Sequence, residues 1–261
     1  MLLIREPIAN IIQLRWTIAA HHILPQNIYN TDEKGFMMGL ATRVKVICKR
    51  EKKSTRKTQL GKRGMITVLE TVSAGGSVLP PMIIYKGQAH YKGWTALVEE
   101  GDEAFFAVSD KGWTSRTISL DYLTNNFEPH TSALQALSPY IILYSISLYK
   151  KREKGKLINY DRANGAMCLL MIDGHDSHVT WQFLDYCLQN DIIPLCLPAH
   201  STQILQPLDV GLFGPLQSNY SKYLDDFVEG GETCINKGDF YLYVILFYYN
   251  ISLLLTDAGF W

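Results

Sequence analysis

The sequence contains no Cys-x-x-Cys pair. Its five cysteines lie far apart, at positions 48, 168, 187, 196 and 234. Zinc ribbons and thioredoxin-like redox motifs need closely spaced cysteines, so the sequence predicts neither. The odd number of cysteines also argues against a complete disulfide framework. We therefore expect reduced thiols in an intracellular protein.

Signals for export or membrane insertion are also missing. Arg5 and Glu6 interrupt the N-terminal apolar stretch, which therefore lacks the order of a signal peptide. Near the other end, Phe240–Leu255 is a mostly apolar stretch of 16 residues that includes Asn250. A bilayer span takes about 20 apolar residues. We expect no membrane association and predict that this stretch is either buried or irregular.

There is no surplus of either charge, because 25 basic residues balance 25 acidic ones. With 47% hydrophobic and 19% charged residues, the composition is that of a globular protein. The basic residues are nevertheless concentrated between Arg43 and Arg63, where ten of them accompany one acid, Glu51. Such a stretch suits phosphate binding or nuclear import, and a solvated loop is the third interpretation. The predicted DNA phosphate contacts are Lys45, Lys49, Arg50, Lys52, Lys53, Arg56, Lys57, Lys62 and Arg63.

Apolar periodicity predicts a mixed α/β domain with a central sheet. We expect strands at 27–31, 65–72, 78–85, 167–172 and 192–197, the second and third forming a hairpin around 73–77. Helices are predicted within 1–25, over 120–127 with an end at Pro129, over 178–189 with Ser177 as N-cap, and from Pro207 to about Phe227.

Three aspartates stand at the ends of these predicted elements. Asp32 and Asp173 each follow an apolar strand, and Asp209 lies at the start of the last helix. Carboxylates that converge repel one another unless a cation lies among them, and sites made of oxygen ligands suit Mg²⁺ or Mn²⁺. Two such ions, roughly 3.5–4 Å apart, can activate water and stabilise the leaving oxygen of a phosphodiester. Because an aspartate after a strand is common, position alone is weak evidence.

The residues around the three aspartates form ordered motifs: 30–36 (NTDEKGF), 172–178 (IDGHDSH) and 205–211 (LQPLDVG). They closely resemble the DDE superfamily endonuclease domain of pogo-like transposases, within the mariner group. The 35 residues between Asp173 and Asp209 resemble the triple-Asp branch found in fungal elements. The resemblance covers about residues 22–130 and 167–228.

The resemblance implies an RNase H-like fold in which the first Asp ends the first strand, the second ends the fourth strand, and the third lies on a later helix. It implies Asp32, Asp173 and Asp209 as catalytic, metal-binding residues holding Mg²⁺ or Mn²⁺, with two ions expected. It further implies metal-dependent cleavage of DNA at transposon ends, followed by strand transfer into target DNA. The nucleus is the expected location, and a homodimer is left open.

Four neighbours of the aspartates are candidates for positioning the site or the substrate: Glu33, His178, Thr202 and Gln206. Each has a plainer alternative. Glu33 suits a surface ion pair and His178 a helix start, while Thr202 and Gln206 suit capping of backbone groups at the helix N-terminus. Zinc is not predicted, since no further paired ligands accompany the histidines near Asp173.

We expect a catalytic domain over residues 26–230. Residues 1–25 are predicted to be the remnant of a truncated N-terminal region, because relatives usually carry helix-turn-helix modules upstream. Residues 131–165 are predicted to be an atypical insert and 231–261 a divergent apolar tail. We hypothesise that the insert and the sequence after Phe240 are translated non-coding sequence.

Two functions remain open from the sequence. One is a transposase core, inactive if truncation has removed recognition of the transposon ends. The other is a domesticated, non-catalytic DNA- or chromatin-binding protein that retains the fold. A host RNase H-like nuclease fits less well, because the flanking motifs resemble those of transposases.

Overall fold

The computed structural model describes residues 7–38, 64–95, 98, 104–132, 167–174, 180–197, 205–230, 235–244 and 247. Within these ranges, six strands form one sheet in the order β4-β3-β2-β1-β5-β6. The strands are β1 (Ile28–Met37), β2 (Met65–Ser73), β3 (Met82–Lys86), β4 (Phe105–Ser109), β5 (Cys168–Ile172) and β6 (Ile192–Cys196).

The strand directions give the fold its identity. β1, β2 and β3 are antiparallel neighbours, whereas β5 runs parallel to β1 and β6 parallel to β5. This mixed sheet flanked by helices is the RNase H-like arrangement predicted from the sequence. β4, which pairs in parallel with β3 at the outer edge, was not predicted. Asp173 consequently follows the fifth strand of the chain and not the fourth.

The sheet is accompanied by α1 (Pro7–His21), α2 (Arg116–Tyr122), α3 (Glu128–Ser132), α4 (Trp181–Gln189) and α5 (Phe213–Glu229), and a further helical stretch covers residues 237–244. Two π-helical segments, Leu123–Phe127 and Leu208–Leu212, lead into α3 and α5. Short 3₁₀ turns occupy Pro25–Asn27 and Lys92–Thr95. In the part of the chain that the structure describes, no helix has the length and apolar character needed to span a bilayer.

The sheet buries different residues on its two faces, because side chains alternate along each strand. On one face, Phe36, Ile66 and Val68 share a core with Phe213 and Leu216 of α5. We call this the α5 face. On the other, the α4 face, Leu69 and Leu170 pack with Tyr122 of α2 and Phe183 of α4. The buried apolar strand predicted over 167–172 is confirmed, since every residue of β5 is buried.

The predicted hairpin is confirmed as well. The Ser73 amide donates to the Ser77 carbonyl at 2.8 Å, and Val72 and Val78 form a further bridge. Gly76 has a φ of +87°, a left-handed conformation that glycine adopts without a Cβ penalty.

Three predicted boundaries were wrong. β1 does not end before Asp32 but runs to Met37, because it pairs with β2 along that whole length. Pro129 does not stop the helix: the chain is helical from Arg116 to Ser132, and Pro129 follows the π-helical segment Leu123–Phe127, where the Glu128 amide bonds to the Leu123 carbonyl. The helix after Asp173 begins at Trp181, and its N-cap is Thr180, whose hydroxyl accepts from the Phe183 amide. Ser177 lies outside the described residues.

Part of the apolar C-terminal stretch belongs to the main core. Residues 237–244 are helical. Phe240, Tyr241, Tyr243, Val244 and Phe247 are buried on the α5 face. The ring of Phe240 packs 5.4 Å from that of Phe36 in β1. Of the two alternatives for this stretch, burial is therefore correct for these residues. The predicted insert falls almost wholly outside the described residues.

Candidate metal centre

Parallel pairing between β1 and β5 brings the first two aspartates to one edge of the sheet. Ile28 pairs with Leu169 and Asn30 with Met171. Asp32 and Asp173 each lie two residues beyond the last of these pairs, so they are at the same level along the two strands. By the alternation of side chains, both belong to the α5 face. Both are half-buried.

The third aspartate reaches this edge on the π-helical segment. Asp209 lies in the first turn of the segment Leu208–Leu212, which packs against β1. Like Asp32 and Asp173, Asp209 is half-buried. In the π-helical segment the Phe213 amide bonds to the Leu208 carbonyl, one residue further back than in an α-helix. Short π-helical segments of this kind are frequent at functional sites.

The three aspartates are close enough to interact electrostatically. Burial, together with repulsion by Asp209, Asp173 and Glu33, raises the pKa of Asp32 to about 8. One interaction opposes this rise in the pKa: the Glu33 backbone amide donates to Asp32 Oδ1 at 2.7 Å. The Asp32 carboxyl therefore holds its proton near neutral pH, and a cation among the three acids would reverse that preference.

Among the described residues at this edge, the candidate ligand atoms are carboxylate oxygens. Cys196 lies near Asp173, but burial, with repulsion by Asp173, raises the pKa of its thiol to about 11. A protonated thiol is a poor metal ligand. Oxygen donors alone suit Mg²⁺ or Mn²⁺. Among the described residues, however, no three His, Cys, Asp or Glu side chains are gathered as closely as metal ligands.

The turn after β5 is tightly packed. The Leu197 amide donates to the Ile172 carbonyl at 2.9 Å, which extends the pairing of β5 and β6 as far as Asp173. A Cβ atom on Gly174 would lie 3.3 Å from the Leu197 carbonyl oxygen, closer than ordinary van der Waals contact. The glycine of the Asp-Gly sequence thus lets the chain leave the sheet immediately after the acid.

The predicted neighbours of the site differ in their placement. Glu33 is half-buried, and alternation along β1 directs it to the α4 face, away from Asp32. Gln206 is completely buried, and neither side-chain polar atom has a hydrogen-bond partner in the described part of the chain. Its backbone carbonyl accepts from the Val210 amide. His178, Thr202 and all nine predicted phosphate-contacting residues lie outside the described ranges.

Sequence reasoning missed two buried polar residues near the aspartates. Asn30 was seen only as part of a motif, yet its amide bonds to backbone groups of Met171 and Leu208. Glu70 lies opposite Asp32 in the β1–β2 register and is 2% exposed. Burial raises its pKa to about 8. The signal for Glu70 was available, because it is the one charged residue in the apolar run 65–73.

Comparison with known proteins identifies the family to which this chain is similar. The model of the DDE superfamily endonucleases matches residues 62–237. A protein of Cochliobolus lunatus, named the MFS-type transporter clz9, is 30% identical over 211 residues, which make up 80% of this chain and 20% of that protein. Since the match spans only a fifth of that relative, its name says nothing about the function of this chain.

Several solved structures of the Mos1 transposase show a weaker likeness. The mariner Mos1 paired-end complex with Mg has a TM-score of 0.48 at 12% identity, covering 99% of this chain and 64% of that one. The catalytic domain of Mos1 has a TM-score of 0.42 at 12% identity, with 96% and 91% covered. TM-scores below 0.5 are too low to support a conclusion about this chain, and its fold is assigned from the order and directions of the strands.

Proposed function

The chain belongs to the DDE superfamily endonucleases, and from this premise we propose that it is the catalytic core of a DNA transposase. The proposed activity is metal-dependent cleavage of DNA at transposon ends and strand transfer into target DNA. One observation carries the proposal: β1, β5 and the π-helical segment bring Asp32, Asp173 and Asp209 close enough for the last two to raise the pKa of the first.

The three aspartates are the proposed ligands of two Mg²⁺ or Mn²⁺ ions. Such ions supply an activated water and charge stabilisation at the leaving oxygen. The chain's own contribution is to hold three acids in a half-buried position, where repulsion and low solvation favour a bound cation over three separate anions. Asp32 must lose its proton for that binding, so ion binding releases a proton at neutral pH.

DNA is the proposed partner. A groove on the α5 face is lined by Lys34 of β1 and by Gln217, Ser218, Lys222 and Asp225 of α5. Lys34 lies two residues after Asp32 in β1, on the same face by alternation. Lysine and hydroxyl groups suit contacts to phosphate oxygens. The basic residues between Lys45 and Arg63 remain proposed contacts, and the nucleus and a homodimer remain proposals as well.

The decisive experiment compares the purified chain with the Asp173→Asn variant on supercoiled plasmid DNA in the presence of Mn²⁺. This substitution replaces a carboxylate by a carboxamide of nearly the same size, so it removes a charged metal ligand without changing the packing. We expect nicking by the wild type and a loss of at least about 100-fold in the variant, as for groups on which metal binding depends. Equal nicking by both would refute catalysis by this triad.

A second candidate function is a domesticated DNA- or chromatin-binding protein without catalysis. It is favoured by the absence, among the described residues, of three side chains already gathered as closely as metal ligands. The same experiment separates the two functions. A non-catalytic protein would bind DNA equally well with Asp173 or Asn at this position, would show salt-dependent affinity, and would nick in neither form.

A further inference from the structure

Asn30 lies where the three acid-bearing elements meet. It is two residues before Asp32 in β1, pairs in register with Met171 two residues before Asp173, and contacts Leu208, the residue before Asp209. We infer that Asn30 is a positioning residue that fixes the relative placement of the three carboxylates. The inference deepens the proposed function and rests on it.

Two hydrogen bonds carry the inference. Asn30 Oδ1 accepts from the Leu208 backbone amide at 3.0 Å, and Asn30 Nδ2 donates to the Met171 carbonyl at 3.3 Å. The side chain is completely buried. One amide therefore joins the strand of the first aspartate to the strand of the second and to the π-helical segment of the third.

The chemistry of these two contacts calls for an amide. The Leu208 amide lies in the first turn of a helical segment, where backbone N–H groups have no partner within the helix. The Met171 carbonyl accepts a hydrogen bond at the same point. A carboxamide offers both an acceptor and a donor, whereas an ionised carboxylate offers only acceptors and an aliphatic side chain offers neither.

The acids themselves supply the reason for such a link. Acids from three separate elements can share cations only if those elements hold fixed positions relative to one another. Loss of the Asn30 amide would remove both hydrogen bonds, including the one that joins the buried backbone amide of Leu208 in the π-helical segment to β1. A displacement of about 1 Å in a catalytic group can cost on the order of 100-fold in rate.

Asn126 provides a matched control. It too is completely buried, and its Nδ2 donates to a backbone carbonyl, that of Pro80, at 2.7 Å. It lies in the π-helical segment Leu123–Phe127, whose neighbours Leu123 and Phe127 pack on the α4 face. Its removal costs a buried hydrogen bond to Pro80, which joins none of the elements bearing the three aspartates to one another.

The test compares Asn30→Ala and Asn126→Ala with the wild-type chain in three measurements. These are exchange of the Leu208 amide by NMR, Mn²⁺ binding by electron paramagnetic resonance, and plasmid nicking across a Mn²⁺ titration. We expect Asn30→Ala to lose protection at Leu208 and to bind Mn²⁺ about 10–100-fold more weakly. Excess Mn²⁺ should restore much of its nicking, which it cannot do for Asp173→Asn. Asn126→Ala should match the wild type in all three.

Asn30→Ser guards against misfolding, because its hydroxyl can pair with one of the two backbone groups but is too short to join both. The inference is overturned if a folded Asn30 variant matches Asn126→Ala in both Leu208 exchange and Mn²⁺ affinity while the wild type nicks DNA. A wild-type chain that neither binds Mn²⁺ nor nicks would refute the proposed function instead. Leu208 exchange would then decide alone whether Asn30 holds these elements together.

Discussion

Asp32 and Glu70 face each other across β1 and β2, and both carboxyls have a pKa raised to about 8, yet they stand in different surroundings. Asp32 is half-buried at the sheet edge and is repelled by two other aspartates. Glu70 is 2% exposed, and burial is the one cause of its raised pKa. Its Oε2 has no hydrogen-bond partner among the described residues.

The similar pKa values of Asp32 and Glu70 therefore have different causes and different consequences. Where other carboxylates contribute, a cation can relieve burial and repulsion together, so the protonated acid marks a candidate metal site. Where burial acts alone, the acid is stable only as a neutral group, and its ionisation destabilises the fold. The neighbours of an acid, more than its pKa, separate a functional carboxyl from a structural one.

The largest expected difference between the two acids is in metal-dependent activity. Asp32→Asn should reduce Mn²⁺-dependent nicking by at least about 100-fold, because it removes a ligand, whereas Glu70→Gln should stay within about threefold of the wild type. Nicking of plasmid DNA measures the first effect. Thermal unfolding with and without Mn²⁺ provides a second measurement, since an ion bound to the native state stabilises it by roughly 2.7 kcal/mol at 100 times its dissociation constant.

Mn²⁺ should raise the melting temperature of the wild type and of Glu70→Gln equally, and that of Asp32→Asn much less. If Glu70→Gln lost the Mn²⁺ effect and Asp32→Asn kept it, the roles assigned to the two acids would be reversed.

An intermediate effect is expected in the pH dependence of stability. The pKa of Glu70 rises from 4.5, its ordinary value, to about 8 in the fold. The unfolded chain therefore loses this proton first, and stability present below pH 4.5 is lost as the pH rises through 8. Glu70→Gln should be more stable than the wild type at pH 9, by on the order of 1–4 kcal/mol, and should differ little at pH 4.

Denaturant unfolding at several pH values measures this difference. Asp32→Asn serves as the comparison, because the pKa of Asp32 is raised in the same direction and contributes to the same pH window. A wild-type stability that does not fall between pH 5 and 9 more steeply than that of Glu70→Gln would show that Glu70 is not buried as a neutral acid.

The smallest effect concerns the opposite face of the same strands. The hydroxyls of Thr31, Thr71 and Tyr122 form a buried chain with two contacts of 2.6 Å. Tyr122→Phe removes one of these contacts and should cost about 1 kcal/mol of unfolding free energy, while Mn²⁺ affinity stays unchanged. Calorimetry and Mn²⁺ titration measure the two quantities. A large loss of Mn²⁺ binding would mean that the site extends through the sheet.

Much of the fold could be predicted from local patterns. The alternating and continuous apolar runs of β2, β3, β5 and β6 identified those strands, and Pro207 marked the start of the helical region that leads into α5. The elements that were missed depend on contacts between distant residues. β4 forms because β3 offers it a parallel neighbour, and β1 continues past Asp32 because β2 pairs with it as far as Met37.

The sequence alone determined the fold class and identified the three aspartates as candidate metal ligands, since the ordered motifs and their spacing are properties of the chain. Only the tertiary structure decided which groups surround these acids. Parallel pairing of β1 with β5 sets Asp32 level with Asp173, and the Asn30 amide joins both strands to the segment of Asp209. Asn30 looked ordinary in sequence, because its hydrogen bonds to residues more than a hundred positions away exist only in the folded chain. Glu70 stood out as a charge in an apolar run, but its burial is a property of the folded chain.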